Sequence, residues 1–241
     1  MSVVEMKEIP REKVDKIALW KWACGLIMAY VCYGAFFIAN AAQNFTRGGD
    51  DARIVFFHVP AAILAYVGYV VATVYSLQFL LKSPTPETDA KAAIGMELGF
   101  LFCIVATLTG SVFAGAVWGS YWNWDPRETS IVVMLLLYAS YLILRGAATG
   151  DFQKRGKLSA VYALVSIVPA TFLIWIVPRI MGSLHPTDTL WKKDKTTADY
   201  KMVLYPSFLA FGMLFTWLFQ LRFRAWKVGT RRIQRRLRSN K

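Results

Sequence analysis

Six stretches of the chain hold no Asp, Glu, Lys or Arg: residues 22–46, 54–81, 98–124, 129–144, 158–178 and 202–221. Charged and turn-forming residues collect between them, as in "KSPTPETDAK" at 82–91. A helix rises about 1.5 Å per residue and needs about 20 apolar residues to cross a hydrocarbon layer about 30 Å thick. Most of the runs reach that length. None alternates in the segments of about 10 residues that a barrel strand would show. The pattern predicts an all-α, polytopic integral membrane protein. Its six transmembrane helices fall near 18–40, 59–81, 93–117, 129–145, 158–178 and 202–222, in one domain over 1–241. The fourth run is the shortest, about 24 Å long at the helical rise. Asp125, Arg127 and Glu128 therefore stand close to the membrane surface.

Composition agrees with this pattern. Hydrophobic residues make up 56% and charged residues 18%, yet the net charge is +13, and the mean hydropathy is +0.40. The positive charge must be segregated, and its distribution orients the chain. Of the 28 Lys and Arg, about 20 fall on the side of the termini: in 1–21, the loops at 82–92 and 145–157, and the stretch after Leu221. That places both termini in the cytoplasm and the loop at 118–128 outside. The polar start "MSVVEMKEIPREKVDK" has no cleavage site of small residues and reads as a cytoplasmic lead rather than a removed signal. The basic tail, 223–241, fits anionic lipid at the cytoplasmic face better than nucleic acid. The outer loop 179–201 has room for a short surface helix.

Several features read as packing. Cys24, Cys32 and Cys103 lie in apolar helices without a CxxC or CxxCH spacing, so no dithiol site and no covalent c-type haem attachment is written here. Gly95-xxx-Gly99, and Gly110, Gly115 and Gly119, suit close helix approach. Glu97 lies near the cytoplasmic start of the third helix, where snorkelling or pairing with Lys91 is expected. No P-loop occurs.

The chemistry collects on the outer side. The two histidines, His58 and His185, flank outer loops and are expected at the external membrane edge. Between them in sequence lies "WGSYWNWDPRET" at 118–129. Interfacial tryptophans usually form a sparse belt, whereas Trp118, Trp122 and Trp124 share one segment with Tyr121. Gly119 permits unusual dihedrals, and Pro126 breaks smooth helical continuation. The segment reads as a flat aromatic platform between two imidazoles. A planar, amphipathic ligand that takes nitrogen donors fits it, and haem meets those conditions: its porphyrin stacks on indole, its iron takes axial histidine, and its propionates could reach Arg53, Arg47 or Arg127. Zinc would need a third ligand that the sequence does not place.

"WGSYWNWDPRETS" resembles the tryptophan-rich signature of the CcmC/CcmF/CcsA haem-handling (WWD) family of cytochrome c biogenesis, and "FHVPAA" at 57–62 resembles the context of that family's first external histidine. The resemblance covers essentially the whole chain and is closest to the small six-helix branch; larger relatives carry more helices and additional histidines. It implies a haem carrier of the bacterial inner membrane with its site facing the periplasm. Haem b would be held non-covalently, in transit. The axial ligands would be His58 and His185. Trp118, Gly119, Tyr121, Trp122, Trp124, Asp125, Pro126 and Arg127 would form the platform and docking surface, with Arg53 nearby. The partners implied are the haem acceptor CcmE, the CcmA/CcmB transporter subunits, where ATP would be hydrolysed, and the small membrane protein CcmD. The resemblance implies a transfer protein rather than an enzyme, with assistance to covalent haem attachment on CcmE left open. Two other readings remain: a transmembrane haem pathway proper, and a b-type cytochrome subunit for electron transfer.

Overall fold

The computed structural model describes residues 18–40, 49–82, 84–149, 151–185 and 197–239. Helix α1 is Leu19–Phe37. A 3₁₀ turn at Asp51–Ile54 runs into α2, Val55–Leu81. Helices α3, Pro86–Trp118, and α4, Pro126–Ala147, follow. Helix α5, Phe152–Thr171, passes through a π turn at Phe172–Ile176 into the short α6, Val177–Ile180, and α7 is Ala198–Ser239. No strand occurs among the described residues. Six helical stretches are long and apolar enough to cross a membrane, with α5, the π turn and α6 acting as one. The chain is an all-α, multi-pass membrane protein.

Several helices outrun the charge-free stretches because capping and interfacial residues extend them. Thr85 caps α3 by accepting from the Thr88 N–H at 3.2 Å, with Pro86 in the first turn. Proline is favoured there because its missing donor is one the first turn cannot use. Asp151 caps α5 through the Lys154 N–H at 2.9 Å. The basic stretch after Leu221 continues α7 as helix to Ser239, in keeping with its content of Arg, Lys, Leu and Gln. Of the loop at 179–201, expected to hold a short surface helix, residues 186–196 lie outside the described residues, as does Arg47.

Helices α2 and α3 form the closest pair. A Cβ added at Gly68 would fall 2.4 Å from the Gly99 Cα, and one at Gly95 would fall 2.8 Å from the Ala72 backbone nitrogen. Only hydrogen at those positions lets the backbones meet, and in lipid such close packing replaces the hydrophobic drive between helices. Gly99 also seats Tyr138, whose hydroxyl donates to the Ala65 carbonyl on α2. Tyr69 donates to Ser166 on α5 at 2.6 Å. These tyrosines are fully buried, and each hydroxyl has found an acceptor, as a dry interior requires.

The end of the bundle nearest the chain termini is tied by charge. Arg145 on α4 makes a two-pronged pair with Asp89 on α3, at 2.6 and 2.7 Å, and Arg155 on α5 approaches the same carboxylate at 3.7 Å. Glu97 pairs with Arg222 on α7 at 2.6 Å, not with Lys91. Six positions along a helix turn Lys91 to another face, where its ammonium lies over the rings of Tyr75 and Phe223. The opposite end, where α3 stops and α4 starts, carries the aromatic loop.

Candidate functional site

The loop between α3 and α4 is wired by its own short polar residues. Helix α3 ends at Gly119 with φ +78°, a left-handed stop with open space around it. The need for glycine is therefore conformational. The chain folds back so that the Tyr121 ring lies against Gly115, where a Cβ would come within 2.7 Å. The Ser111 hydroxyl donates to the Tyr121 carbonyl at 2.8 Å. Trp124 adopts φ +55°, which costs a bulky L-residue about 1–2 kcal/mol. That conformation turns its ring into solvent, 75% exposed.

Asp125 and Glu128 close the loop as a reciprocal cap on α4. Glu128 accepts from the Asn123 N–H at 2.7 Å and the Asp125 N–H at 3.3 Å. Pro126 is the first residue of α4, so it marks where the non-helical loop gives way to that helix. Asp125-Pro126-Arg127-Glu128 spells this cap in sequence. The role of Glu128, absent from the expected site, was legible there.

Asp125 also reaches across to the end of the α5–α6 rod. Its carboxylate accepts from the Arg127 N–H at 2.9 Å, the Ser183 hydroxyl at 3.0 Å, the Leu184 N–H at 2.6 Å and His185 Nδ1 at 3.0 Å. Its side chain is only 1% exposed. Burial pushes the carboxyl pKa up, but the donors from Arg127, Leu184, Ser183 and His185 outweigh that and hold it below the usual value. Burial lowers the pKa of His185, and Arg127 lowers it further, against the raising effect of Asp125. The pair is therefore a neutral imidazole hydrogen-bonded to a carboxylate. The proton sits on Nδ1, and the lone pair is on Nε2, where a metal would bind.

Trp118 lies edge-on to His185, ring centres 4.8 Å apart at 71°. Phe113 meets Trp118 at 5.6 Å and 80°, and Trp122 meets Trp124 at 5.8 Å and 89°. The aromatic surface is thus stepped, not the flat platform the sequence suggested, because indoles prefer edge-to-face contact to coplanar stacking. Trp118 and Trp122 are half-buried, while Tyr121 and Trp124 are exposed.

His58 sits in the first turns of α2, its Nδ1 3.0 Å from the Thr109 hydroxyl. A Cβ at Gly110 would meet its Cε1 at 2.9 Å. Thr109 lies nine residues before Trp118, or about 13 Å down α3. His58, the fourth residue of α2, is therefore seated about 13 Å along α3 from Trp118. Arg53 pairs with Asp50 at 3.0 Å and stands close enough to Tyr200 of α7 to act on it electrostatically. The structure thus joins His185, Asp125 and Trp118 directly, sets Trp122 edge-on to Trp124, and seats His58 of α2 against α3. It leaves Arg53 toward α7. Thr109 and Ser183, which hold the two histidine segments, went unnoticed in the sequence: an isolated Thr or Ser in an apolar context carries no local signal.

The family described as "Heme exporter protein C" matches this chain over residues 10–239. Among curated relatives, Heme exporter protein C of Rhodobacter capsulatus is 33% identical over 205 residues, 84% of this chain and 81% of that protein. The same-named protein of Bradyrhizobium diazoefficiens is 29% identical, covering 91% of this chain and 81% of its own length. That of Paracoccus denitrificans is 30% identical, over 78% and 77%.

Proposed function

The chain belongs to the heme exporter protein C family, and from that premise we propose that it is a haem carrier of cytochrome c maturation. It holds haem b at the outer end of the bundle between His58 and His185. The site faces the periplasm of the bacterial inner membrane, and the cargo passes to the acceptor CcmE in concert with CcmA, CcmB and CcmD. Haem is the cargo here; its iron takes imidazole nitrogen at two axial positions.

The observation that carries this reading is the state of His185. It is buried and neutral, held through Nδ1 by a carboxylate, edge-on to Trp118, with Nε2 left as a lone pair. A structural histidine does not need this arrangement, whereas a metal-binding imidazole does. The donor set fits haem: a second imidazole stands on α2, the half-buried indoles supply apolar ring surface, and Arg127 brings positive charge near His185. Exposed Trp124 and Tyr121 form the outer surface on which an acceptor protein would dock. With Nε2 given to the iron, His185 would not be free to move a proton. The chain's contribution is thus to hold and orient, and orientation alone can be worth about 7–11 kcal/mol to a reaction between bound partners.

The test is the absorption spectrum of the purified protein, oxidised and reduced, beside His58→Ala and His185→Ala, with CcmE co-expressed. A six-coordinate, low-spin haem signal that is lost or changes spin state in each variant supports the reading. The same signal in both variants moves the ligands elsewhere and ends it.

A further inference from the structure

We propose that Thr109 is a positioning residue for His58, fixing the proton on Nδ1 so that Nε2 faces the ligand, and that the two histidines are consequently unequal donors. The proposal rests on the reading of both histidines as haem ligands, but the first half is a property of the empty protein.

The argument is one of hydrogen accounting. A threonine hydroxyl has one hydrogen and two lone pairs. Thr109 Oγ1 lies 2.8 Å from the Val105 carbonyl and 3.2 Å from the Ala106 carbonyl, and a threonine within a helix ordinarily gives its hydrogen to a carbonyl of the preceding turn. The oxygen can then only accept from His58 Nδ1 at 3.0 Å. The imidazole must be the donor, so Nδ1 carries the proton and Nε2 carries the lone pair. Gly110 completes the seat. Its missing side chain leaves the Cε1 edge of the ring where any Cβ would stand 2.9 Å away. Thr109 sets the tautomer, and Gly110 allows the ring to lie there.

His185 reaches the same tautomer by a different route. Its Nδ1 proton goes to the Asp125 carboxylate at 3.0 Å. A carboxylate draws that proton more strongly than a hydroxyl whose own hydrogen is engaged, so it leaves more electron density on Nε2. His185 is thus the stronger donor and His58 the weaker. The weaker ligand sits on a transmembrane helix, and the stronger one on the segment held by Asp125.

Nitrogen-15 NMR of the haem-free protein in detergent tests the tautomer directly. Two histidines give two sets of ring signals, assigned with His185→Ala. In the native chain both rings should show a protonated Nδ1. In Thr109→Val, His58 should lose that preference and populate the Nε2-protonated form; Thr109→Ser, which keeps the hydroxyl, should restore it. His185 should be unchanged in both. A native His58 protonated on Nε2, or a Thr109→Val protein that keeps Nδ1 wholly protonated, overturns the proposal. In haem-loaded protein, Thr109→Val should weaken haem retention about 10- to 100-fold, the usual effect of removing a ligand's outer partner, and Thr109→Ser should not. Wild-type retention in Thr109→Val overturns the positioning role. The expected NMR result with no haem bound in any variant would instead refute the haem reading and leave the Thr109–His58 seat standing.

Discussion

Replacing Asp125 probes the site at its most connected atom. Among the described residues, its Oδ1 serves Arg127, Ser183 and His185, and Oδ2 serves Leu184. Asparagine can keep its oxygen in the Oδ1 position, but its amide then points two hydrogens at the Leu184 N–H. One buried donor loses its acceptor, and the remaining bonds lose their charge. An unsatisfied buried group costs about 1–3 kcal/mol. Alanine removes all four bonds, the side-chain cap of α4 among them. Each buried donor left without an acceptor costs about 1–3 kcal/mol, so Asp125→Ala, which strands several, is expected to cost more than Asp125→Asn. The segment from Met181 leaves helical geometry, with ψ 140° at that residue. Its backbone donors must be satisfied from outside, so the loss should appear locally. Hydrogen exchange at the Leu184 amide should accelerate about 5- to 150-fold in Asp125→Asn, by the conversion of about 1.4 kcal/mol per tenfold, and more in Asp125→Ala. Exchange in the middle of α3 should hardly change. Native protection at Leu184 in Asp125→Ala would refute the view that this carboxylate holds the His185 segment.

Three further outcomes are expected. His185 has a lowered pKa because burial disfavours its charged form. An unfolded chain would take up this proton first, so the histidine's contribution to stability falls as pH drops below 6.5. Haem held by His185 should persist as pH is lowered through 6.5, and a spectroscopic loss centred at or above 6.5 would contradict the neutral, buried assignment. Gly68→Ala forces a Cβ to within 2.4 Å of the Gly99 Cα and should lower stability by about 1–3 kcal/mol, as overpacking does; an unchanged thermal midpoint in detergent would show that α2 and α3 are not in contact there. Asp89→Leu leaves Arg145 without its two-pronged partner and should cost about 3 kcal/mol. Asp89→Leu with Arg145→Met should be less damaging than Asp89→Leu alone, and additive losses in a thermal double-mutant cycle would deny the coupling.

Much of the fold was legible because lipid imposes it. A backbone that cannot bond to water must close its bonds within each segment, so charge-free runs of sufficient length become helices. The ends were less legible. The runs stop at the first charge, but Thr85-Pro86 and Asp151 are caps whose helices continue into polar surroundings, and the Arg-rich stretch after Leu221 is helix-forming by composition. Glu97 was assigned a neighbour in sequence, while its partner Arg222 comes from the far end of the chain, a contact that only tertiary packing creates. Within the site, the residue types were visible but not their division of labour. Asp125 was grouped with the ring platform. Its 1% exposure and four donors make it a post that the segment at 183–185 hangs on. The perpendicular set of the indoles was invisible too, since a cluster of tryptophans in sequence is silent about ring angles.

The two histidines are held by elements of different mechanical character. His58 belongs to α2, whose glycine contacts with α3 leave no room for sliding: a Cβ already clashes at 2.4 Å, and packed interfaces of this kind do not deform continuously. Its acceptor Thr109 lies on that same α3, so ring and partner move as one body. His185 lies beyond the π turn at 172–176 and beyond Pro178, where the helical ladder has ended. Its position depends on hydrogen bonds to Asp125 from three neighbouring residues, Ser183, Leu184 and itself. A cage built of two rigid helices would bind a flat ligand without a ready way to open. One built from a rigid helix and a bonded segment can open by exchanging a few hydrogen bonds for water at the mouth. That exchange costs a few kcal/mol rather than the unpacking of a bundle. On the proposed reading, retention and release of the ligand are set by the same carboxylate, which is why Asp125 rather than either histidine is the residue whose replacement should change the rate of release most for the least change in fold.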